Sequence, residues 1–368
     1  YNKETPAYTI NKICGSGLKA IALGAASIIT GEAEVVVAGG QESMSNCPMA
    51  LPKARWGHRM EISGTGDIYD LMVYDGLYEI FYGYHMGMTA ENIGAKYGIS
   101  RQEQDEIGAL SHQRAIKAIG QGFFKDEIVP ILIPQRKGEP LSFAIDERPM
   151  ETSAEKMGKL RPAFKKDGTV TAGNASGIND GSSALLLASE EAVKLFNLQP
   201  MARVVSVSVA GVHPSIMGMG PVTATNKALQ RASIKKDEIY LIELNEAFAS
   251  QSIACIQELQ LNEAIVNVNG GAIALGHPLG CSGSRISTTL LHEMKKGAVS
   301  DKEVIMTDYT TYGQLSQSAL KEHFPPESEI SYLYNDDGSK AATLYKYKFD
   351  GKVIRILVTP SWHVIRGH

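Results

Sequence analysis

Cys14 is the first candidate for chemistry, and it stands in the run Ile13-Cys14-Gly15-Ser16-Gly17. This run lies between a short strand-like segment, residues 8–10, and a predicted helix of small residues. A cysteine at such a junction meets the free N–H groups and partial positive charge of a helix N-terminus, which favour the nucleophilic thiolate. The flanking glycines would let a ligand approach the backbone closely. The alternative is that Cys14 is a small buried apolar side chain, which is the more common role of a cysteine in a protein.

His277 is the best candidate for the base that such a nucleophile needs. It lies in the glycine-rich run 270–278, directly after a predicted strand at residues 265–268. Gly276 and Pro278 on either side place the imidazole at a turn, where it can face a cleft. The other histidines stand in polar or helical surroundings or in the C-terminal tail, where a solvated or structural role is the default: His58, His85, His112, His213, His292, His323, His363 and His368.

Asn245 opens the run Asn245-Glu246-Ala247-Phe248, which follows a predicted strand at residues 239–244. Polar side chains at the carboxyl end of a parallel strand are where α/β proteins bind ligands. Asn245 could hold a water or a carbonyl oxygen as part of an oxyanion site. The alternative is a helix N-cap, and the two roles are compatible.

The composition is that of an ordinary soluble globular protein and excludes several classes of function. The 368 residues carry 36 Lys plus Arg and 40 Asp plus Glu, a net charge of −4, which disfavours a nucleic-acid partner. No apolar run approaches the roughly 18 to 20 residues that cross a bilayer, and no signal peptide is evident. The four cysteines form no C-x-x-C pair, so neither zinc nor a disulfide framework is expected. A reducing, cytoplasmic setting follows, with no metal and no membrane partner.

The elements that must position these residues alternate between strand and helix, which predicts an α/β protein with largely parallel sheets. Continuous apolar runs predict buried strands, and periodic segments predict helices at residues 104–121 and 190–196. Residues 47–169 interrupt this rhythm and indicate a long insertion or lid. The predicted strands are residues 34–40, 184–188, 202–209, 239–244 and 265–268.

A weak internal repeat relates two strand–turn–helix segments, residues 10–20 and 265–286. The first carries the turn Cys14-Gly15-Ser16-Gly17 and the second carries Gly280-Cys281-Ser282-Gly283. Two similar α/β halves packed back to back would explain it, and chance similarity between glycine-rich turns is the alternative. From about residue 322 the pattern changes to short strands separated by Asp337-Gly338 and Asp350-Gly351, which predicts an antiparallel meander.

Together these pieces resemble the thiolase family. The match keeps family order from residue 6 to about 297, and the His85-Met86 segment is most similar to the acetyl-CoA acetyltransferase branch. The matching stretches are residues 11–17, 37–45, 84–92, 171–180, 245–248 and 267–285.

The resemblance implies a thiolase-like α/β fold of two pseudo-repeated halves, with mixed sheets around central helices. An N-terminal half would span residues 1–190 and include a loop domain at about 47–170. A C-terminal half would span residues 191–297. The divergent tail, residues 298–368, would form the antiparallel meander.

The resemblance also implies an activity. Cys14 would attack an acyl-CoA thioester with His277 as its base, and Asn245, through a water, and His277 would stabilise the enolate of a second acyl-CoA. Ser176, His85, Met86 and Gly276 would contact the substrate. The reaction would be Claisen condensation of two acetyl-CoA, or its thiolytic reverse. CoA thioesters would be the substrates, with no separate cofactor, and the protein would assemble as a dimer or tetramer.

Two departures from the family bear on that activity. The family carries a second catalytic cysteine in a C-x-G-G-G segment, whereas residues 305–313 here contain no cysteine and no triple glycine. Cys281 is not a replacement, because it lies within the His277 motif. The βα units that normally precede the Cys14 strand are also expected to be absent. Impaired turnover is therefore predicted, and the alternative is a catalytically incomplete protein that binds acyl-CoA or a thiolase partner.

Overall fold

A computed structural model describes residues 3–58, 67–296, 303–307, 329–334, 340–349 and 352–358. The chain divides into two compact units, Tyr1–Gly313 and Gln314–His368. The site residues predicted from the sequence all lie in the first unit. The boundaries predicted at residues 190 and 297 stay a prediction.

The first unit alternates helices with strands, as the sequence predicts. Its helices are α1 (Ser16–Ile29), α2 (Gly87–Tyr97), α3 (Arg101–Gly120), α4 (Ala154–Gly158), α5 (Glu190–Leu195), α6 (Gly220–Ala232), α7 (Ala249–Leu259), α8 (Ala272–Leu275) and α9 (Leu279–Lys296). Its strands are β1 (Val35–Ser43), β2 (Met49–Ala50), β3 (Tyr69–Asp70), β4 (Tyr78–Glu79), β5 (Tyr84–His85), β6 (Ile131–Ile133), β7 (Leu141–Phe143), β8 (Asp180–Ala188), β9 (Arg203–Ser208) and β10 (Glu303–Thr307).

Helices α1 and α9 pack closely against each other at their N-terminal ends, where glycines bring the two backbones into contact. A Cβ on Gly17 would overlap the backbone nitrogen of Ser284, and a Cβ on Gly283 would overlap that of Leu18. The internal repeat aligns these two glycines, and each lies against the other's helix. The pairing supports two related halves that meet at two central helices, because small residues permit this close approach.

The main apolar core lies between these two helices and the sheets beside them. Ile21 on α1 is fully buried, and β1 and β10 each contribute one buried side chain. Burial of a single isoleucine contributes about 1.5 to 3 kcal/mol. The buried members of this cluster are Leu18, Ile21, Ala38, Ile286, Met294 and Met306.

Four of the described strand pairs of the first unit are antiparallel and one is parallel, so the prediction of largely parallel sheets was wrong. Strand β1 pairs with β8 in an antiparallel register from Val35↔Ala188 to Ser43↔Asp180. Strand β10 pairs with β9 in parallel. The reversal arises because the long segment between β1 and β8 returns the chain to the end of the sheet at which β1 finishes. Mixed sheets are what the family resemblance implies.

Two predicted strands are reduced to a single parallel bridge between Ile242 and Val266. The side chain of Asn267 takes over the hydrogen bonds that a strand pair would make. Its Oδ1 accepts from the N–H of Leu244 at 2.8 Å, and its Nδ2 donates to the Leu244 carbonyl at 2.8 Å. Residues 8–10, predicted as a strand, are also irregular in the structure.

Residues 47–169 interrupt the alternation as predicted, since their described part contains three short antiparallel strand pairs and the helices α2 to α4. Helix α3 begins at a capping box, in which Ser100 Oγ accepts from the Glu103 N–H and the Glu103 carboxylate accepts from the Ser100 N–H. No helix in the described ranges is both long and apolar enough to cross a membrane.

The second unit contains the three-stranded antiparallel sheet of β11 (Glu329–Tyr334), β12 (Lys340–Phe349) and β13 (Lys352–Val358). These strands are antiparallel, as predicted for the C-terminal tail, whereas the bounds of the tail, residues 298–368, stay a prediction. Its two predicted turn pairs, Asp337-Gly338 and Asp350-Gly351, lie outside the described residues.

Candidate active site

Cys14 lies in a tight 3₁₀ turn, Ile13–Gly15, which leads directly into α1. The turn places Ile13 at φ +51°, a left-handed conformation that is strained for a β-branched residue. Ser16 secures it, since its Oγ donates to the Ile13 carbonyl and accepts from the Lys12 N–H, both at 2.8 Å. Strain of this kind costs about 1 to 3 kcal/mol and concentrates at functional sites.

His277 stands in the turn that precedes α9, as Cys14 stands in the turn that precedes α1. Gly276 before it has φ +103°, and a Cβ there would lie 2.6 Å from Cγ of Asn179. Asn179 Oδ1 in turn accepts from the His277 N–H at 3.2 Å. Glycine is thus required at position 276, both for the positive φ and because a larger residue would overlap Asn179. The predicted contact of Gly276 with substrate stays a prediction.

The structure brings together the three residues predicted to carry the chemistry. His277 Nε2 lies 3.2 Å from Cys14 Sγ and 3.4 Å from Asn245 Nδ2. Their exposed fractions are 7% for Cys14, 4% for His277 and 8% for Asn245, so the group is almost wholly buried. Asn245 Oδ1 is also buried and has no hydrogen-bond partner among the described residues. An amide oxygen in that state can hold a water or a substrate group.

Burial of Cys14 and His277 opposes the thiolate that the helix terminus favours, so the charge state of Cys14 stays a prediction. Burial, with a smaller contribution from Glu42, raises the pKa of the Cys14 thiol to about 12. Burial, with a smaller contribution from Arg285, lowers the pKa of His277 to about 4. Desolvation disfavours the charged form of each group because both are removed from water.

Met86 and His85 lie on different sides of the same short segment around β5. Met86 is buried in an apolar cluster with Cys14, Met44, Met217 and Leu279. The His85 ring instead stacks on Phe164, with ring centroids 4.6 Å apart, and its Nδ1 accepts from the Gly87 N–H at 3.0 Å. Burial lowers the pKa of His85. Met86 is therefore the member of this predicted pair that packs beside the nucleophile.

Ser176 lies next to the segment that carries Asn245. Its N–H donates to the Ala247 carbonyl at 3.0 Å, beside an antiparallel bridge between Ala175 and Phe248. Arg148 ties this loop to the His277 loop, because its guanidinium donates to the carbonyls of Ile273 at 2.9 Å and of Ala175 at 3.4 Å.

Two residues with clear structural roles were missed in the sequence. Glu246 is buried and accepts hydrogen bonds from Ser111 Oγ at 2.7 Å, Asn267 Nδ2 at 2.8 Å and the Ile273 N–H at 3.2 Å. Ser282 Oγ lies 2.5 Å from His277 Nδ1. Two signals in the sequence could have indicated these roles. Glu246 is adjacent to the candidate Asn245, and Ser282 lies in the first helical turn after the candidate His277.

No group of three metal-ligating side chains is arranged to hold an ion in the part of the chain that the structure describes. The chemistry available at this site is that of a thiol, an imidazole and an amide. These groups are suited to nucleophilic acyl transfer.

Comparison with models of known protein families shows to which family the chain belongs. The family model of the thiolase N-terminal domain matches residues 1–191, and that of the thiolase C-terminal domain matches residues 198–307. This chain belongs to the thiolase family.

Individual thiolases are similar over most of the chain. The acetyl-CoA acetyltransferase of Pseudomonas aeruginosa is 57% identical over 290 residues, 78% of this chain and 73% of that protein. The crystal structure of the Bacillus anthracis acetyl-CoA acetyltransferase matches with a TM-score of 0.75 and 49% identity, over 78% of this chain and 72% of that one. Human mitochondrial 3-ketoacyl-CoA thiolase in complex with CoA matches with a TM-score of 0.76 and 46% identity, over 80% and 73%. The predicted thiolase fold is confirmed.

Proposed function

We propose that this thiolase transfers acyl groups between CoA thioesters through an acyl-thioester on Cys14, with activity of the acetyl-CoA acetyltransferase type. The observation that carries the proposal is the 3.2 Å contact between Cys14 Sγ and His277 Nε2 in a buried site. The 57% identity with an acetyl-CoA acetyltransferase supports acetyl as the group transferred.

The acylation half begins when Cys14 Sγ attacks the thioester carbonyl carbon and His277 Nε2 takes the thiol proton. The bond between that carbon and the CoA sulfur then breaks, and the CoA thiolate leaves with the proton from His277. The acyl group remains on Cys14, and no net charge is left behind. Because burial raises the pKa of the Cys14 thiol and lowers that of His277, it favours a proton that moves as the new S–C bond forms rather than before it.

In the condensation half, the α-carbon of a second acetyl-CoA loses a proton to His277 Nε2 and attacks the acyl carbon on Cys14. The bond between that carbon and Cys14 Sγ breaks, acetoacetyl-CoA leaves, and His277 returns the proton to the Cys14 thiolate; thiolysis is the reverse. Once its Nε2 carries the α-proton, His277 would donate to the second thioester oxygen as that oxygen gains negative charge, and Asn245 would do so through a water. The Oδ1 of Asn245 is buried and has no hydrogen-bond partner in the described ranges, which supports a water at that position.

CoA thioesters serve as the substrates of thiolases, which require no separate cofactor. The human thiolase solved with CoA supports CoA binding by this chain. We assign substrate contacts to Ser176, His85, Met86 and Gly276. The packing of Met86 against Cys14 and the backbone pairing of Ser176 beside Asn245 support this assignment.

A second candidate function rests on residues 305–313, which contain no cysteine where the family carries C-x-G-G-G. In that family motif the cysteine moves the α-proton, and the glycine backbone helps to bind the oxyanion of the acyl intermediate. Without these groups, the chain would bind acyl-CoA and acylate Cys14 but turn over slowly or not at all.

Single-turnover acylation separates the two candidates. The protein is mixed with labelled acetyl-CoA, and the label on the protein is measured beside steady-state thiolysis of acetoacetyl-CoA. We expect about one label per chain on wild type, none on Cys14→Ala, and wild-type labelling on Cys47→Ala, a cysteine outside the site. Acylation with turnover supports the acetyltransferase, and acylation without turnover supports the impaired form. A labelled Cys14→Ala, or an unlabelled wild type, would refute the acyl-thioester.

We also propose that the protein is a homo-oligomer, a dimer or tetramer, as the family resemblance implies, and that it acts in the cytoplasm, the reducing setting that its cysteine pattern favours. Light scattering tests the first statement, and a monomeric mass would contradict it. Fractionation of cells that express the natural protein tests the second.

A further inference from the structure

We infer that Ser282 is a positioning residue that holds the proton of neutral His277 on Nδ1, so that the lone pair of Nε2 faces Cys14. The inference deepens the proposed function, and its kinetic consequence rests on that function. Ser282 is buried in the first turn of α9, five residues after His277. Its hydroxyl oxygen lies 2.5 Å from His277 Nδ1.

The hydroxyl of Ser282 has one proton and two neighbours that could accept it. One is His277 Nδ1, and the other is the carbonyl oxygen of Pro278 at 3.0 Å. If the hydroxyl donates to Pro278, its oxygen accepts the proton of Nδ1, and Nε2 carries a lone pair. If it donates to Nδ1 instead, the ring proton must sit on Nε2. The groups that face Nε2 decide between these two arrangements.

Among the described residues, two groups face Nε2, and both are hydrogen-bond donors. Cys14 Sγ, at 3.2 Å, carries a proton because burial raises the pKa of the thiol to about 12. Asn245 Nδ2 lies at 3.4 Å. A hydrogen on Nε2 would point at these donors, whereas a lone pair accepts from them. The contacts of both ring nitrogens are therefore satisfied only when the proton is on Nδ1 and Ser282 donates to Pro278, a common bond of helical serines to the carbonyl four residues earlier.

This arrangement prepares His277 for the proton transfer. When Nε2 takes the thiol proton, the ring becomes a cation in a site from which water is excluded. The Nδ1–H bond to Ser282 then becomes charge-assisted, and the Ser282 hydroxyl keeps its own proton on Pro278. Neither a rotation of the hydroxyl nor an exchange of tautomers has to precede acylation.

Helix α9 offers a matched control for Ser282→Ala. Ser287 is also buried, and its Oγ donates to the carbonyl four residues earlier, that of Gly283, at 2.9 Å. Ser287→Ala therefore removes the same kind of bond from the same helix without removing the bond to His277. Ser282→Thr keeps a hydroxyl at the original position and serves as the rescue variant.

The first readout is the ¹⁵N spectrum of the resting protein labelled in histidine, with His277→Gln to assign the His277 signals. We expect wild type, Ser287→Ala and Ser282→Thr to show a protonated Nδ1 and an unprotonated Nε2, and Ser282→Ala to show a mixture of tautomers. The second readout is the rate at which acetyl-CoA acylates Cys14 and iodoacetamide alkylates it. We expect both rates to fall about 10- to 100-fold in Ser282→Ala and to stay unchanged in Ser287→Ala, since a hydrogen bond to a developing charge is lost.

The wild-type spectrum alone tests the inference, even if Ser282→Ala does not fold. A protonated Nε2 in wild type overturns it. A folded Ser282→Ala that retains the Nδ1–H tautomer and both rates also overturns it. A wild type that is not acylated by acetyl-CoA, yet shows the Nδ1–H tautomer and the expected alkylation rates, would refute the proposed function and support the inference.

Discussion

Gly271 lies so close to the side chain of Glu246 that a Cβ at position 271 would overlap the carboxyl group. The same carboxyl binds Asn267 Nδ2 and the Ile273 N–H, which lie before and after Gly271. Glu246 therefore holds the loop that leads to His277, while its neighbour Asn245 contacts the imidazole itself.

Glu246→Gln should destabilise the protein although it keeps the shape of the side chain. The carboxylate accepts at both oxygens, and an amide accepts at only one, so a buried donor would lose its partner at a cost of about 1 to 3 kcal/mol. Urea unfolding measures the loss. Glu155→Gln is the control, because its ion pair with Lys159 is exposed and its removal should change stability by less than about 0.5 kcal/mol. Equal midpoints for the two variants would contradict the role of Glu246.

Stability should fall as the pH drops from about 6.5 towards 4 because of His277. Burial lowers its pKa to about 4 in the folded protein, whereas the unfolded chain has a pKa of about 6.5. The unfolded state thus gains a proton first, and the stability present above pH 6.5 is lost over this window. The expected contribution is on the order of 3 kcal/mol. Unfolding of wild type and His277→Gln across the window measures it, and parallel curves would show that His277 contributes nothing.

Gly17→Ala should weaken the contact between α1 and α9. A Cβ there would overlap the backbone of Ser284, which cannot move aside like a flexible side chain. Overpacking of this kind costs about 1 to 3 kcal/mol. Gly120→Ala is the matched control, because it lies at the end of α3 with open space around it. That change should be neutral or stabilise by up to about 1 kcal/mol, since alanine favours a helix. Thermal unfolding shows whether each variant is more or less stable than wild type. A Gly17→Ala variant more stable than wild type would disprove the close contact.

Met86→Ala should widen the space beside Cys14 and favour longer acyl groups. Met86 packs in the cluster that contains the nucleophile, whereas Met157 is equally buried outside that cluster. Both changes to alanine should cost about 2 to 5 kcal/mol of stability. Only Met86→Ala should raise the ratio of butyryl-CoA to acetyl-CoA in the acylation of Cys14. A similar rise in Met157→Ala would show that the effect is a general loosening of the fold.

The sequence predicted best what local chemistry determines. Helix α3 was predicted at residues 104–121 and observed at Arg101–Gly120, because its apolar period and polar flanks are local properties. The Gly270–Pro278 run predicted that His277 lies in a turn for a similar reason, since the turn preference of glycine and proline is also a local property. The proximity of Cys14 to His277 came from the resemblance, because no spacing within the chain brings residues 14 and 277 together.

What the sequence did not predict depends on contacts between distant segments. The strands at residues 239–244 and 265–268 were replaced by the side-chain bonds of Asn267, which no hydropathy pattern reveals. The burial of Cys14 was not predicted, because it results from packing by Met44, Met86 and other residues far away in the chain. Glu246 and Ser282 were missed for the same reason, since glutamate and serine are ordinary at most positions.

The contact of α1 with α9 through Gly17 and Gly283 has a consequence for how such a protein can diversify. Nucleophile and base each stand immediately before one of these two helices, so their separation is tied to a single rigid interface. The segments that would surround an acyl chain come from elsewhere, between β1 and β8. Substitutions in those segments can alter substrate preference during evolution while the reacting atoms keep their spacing.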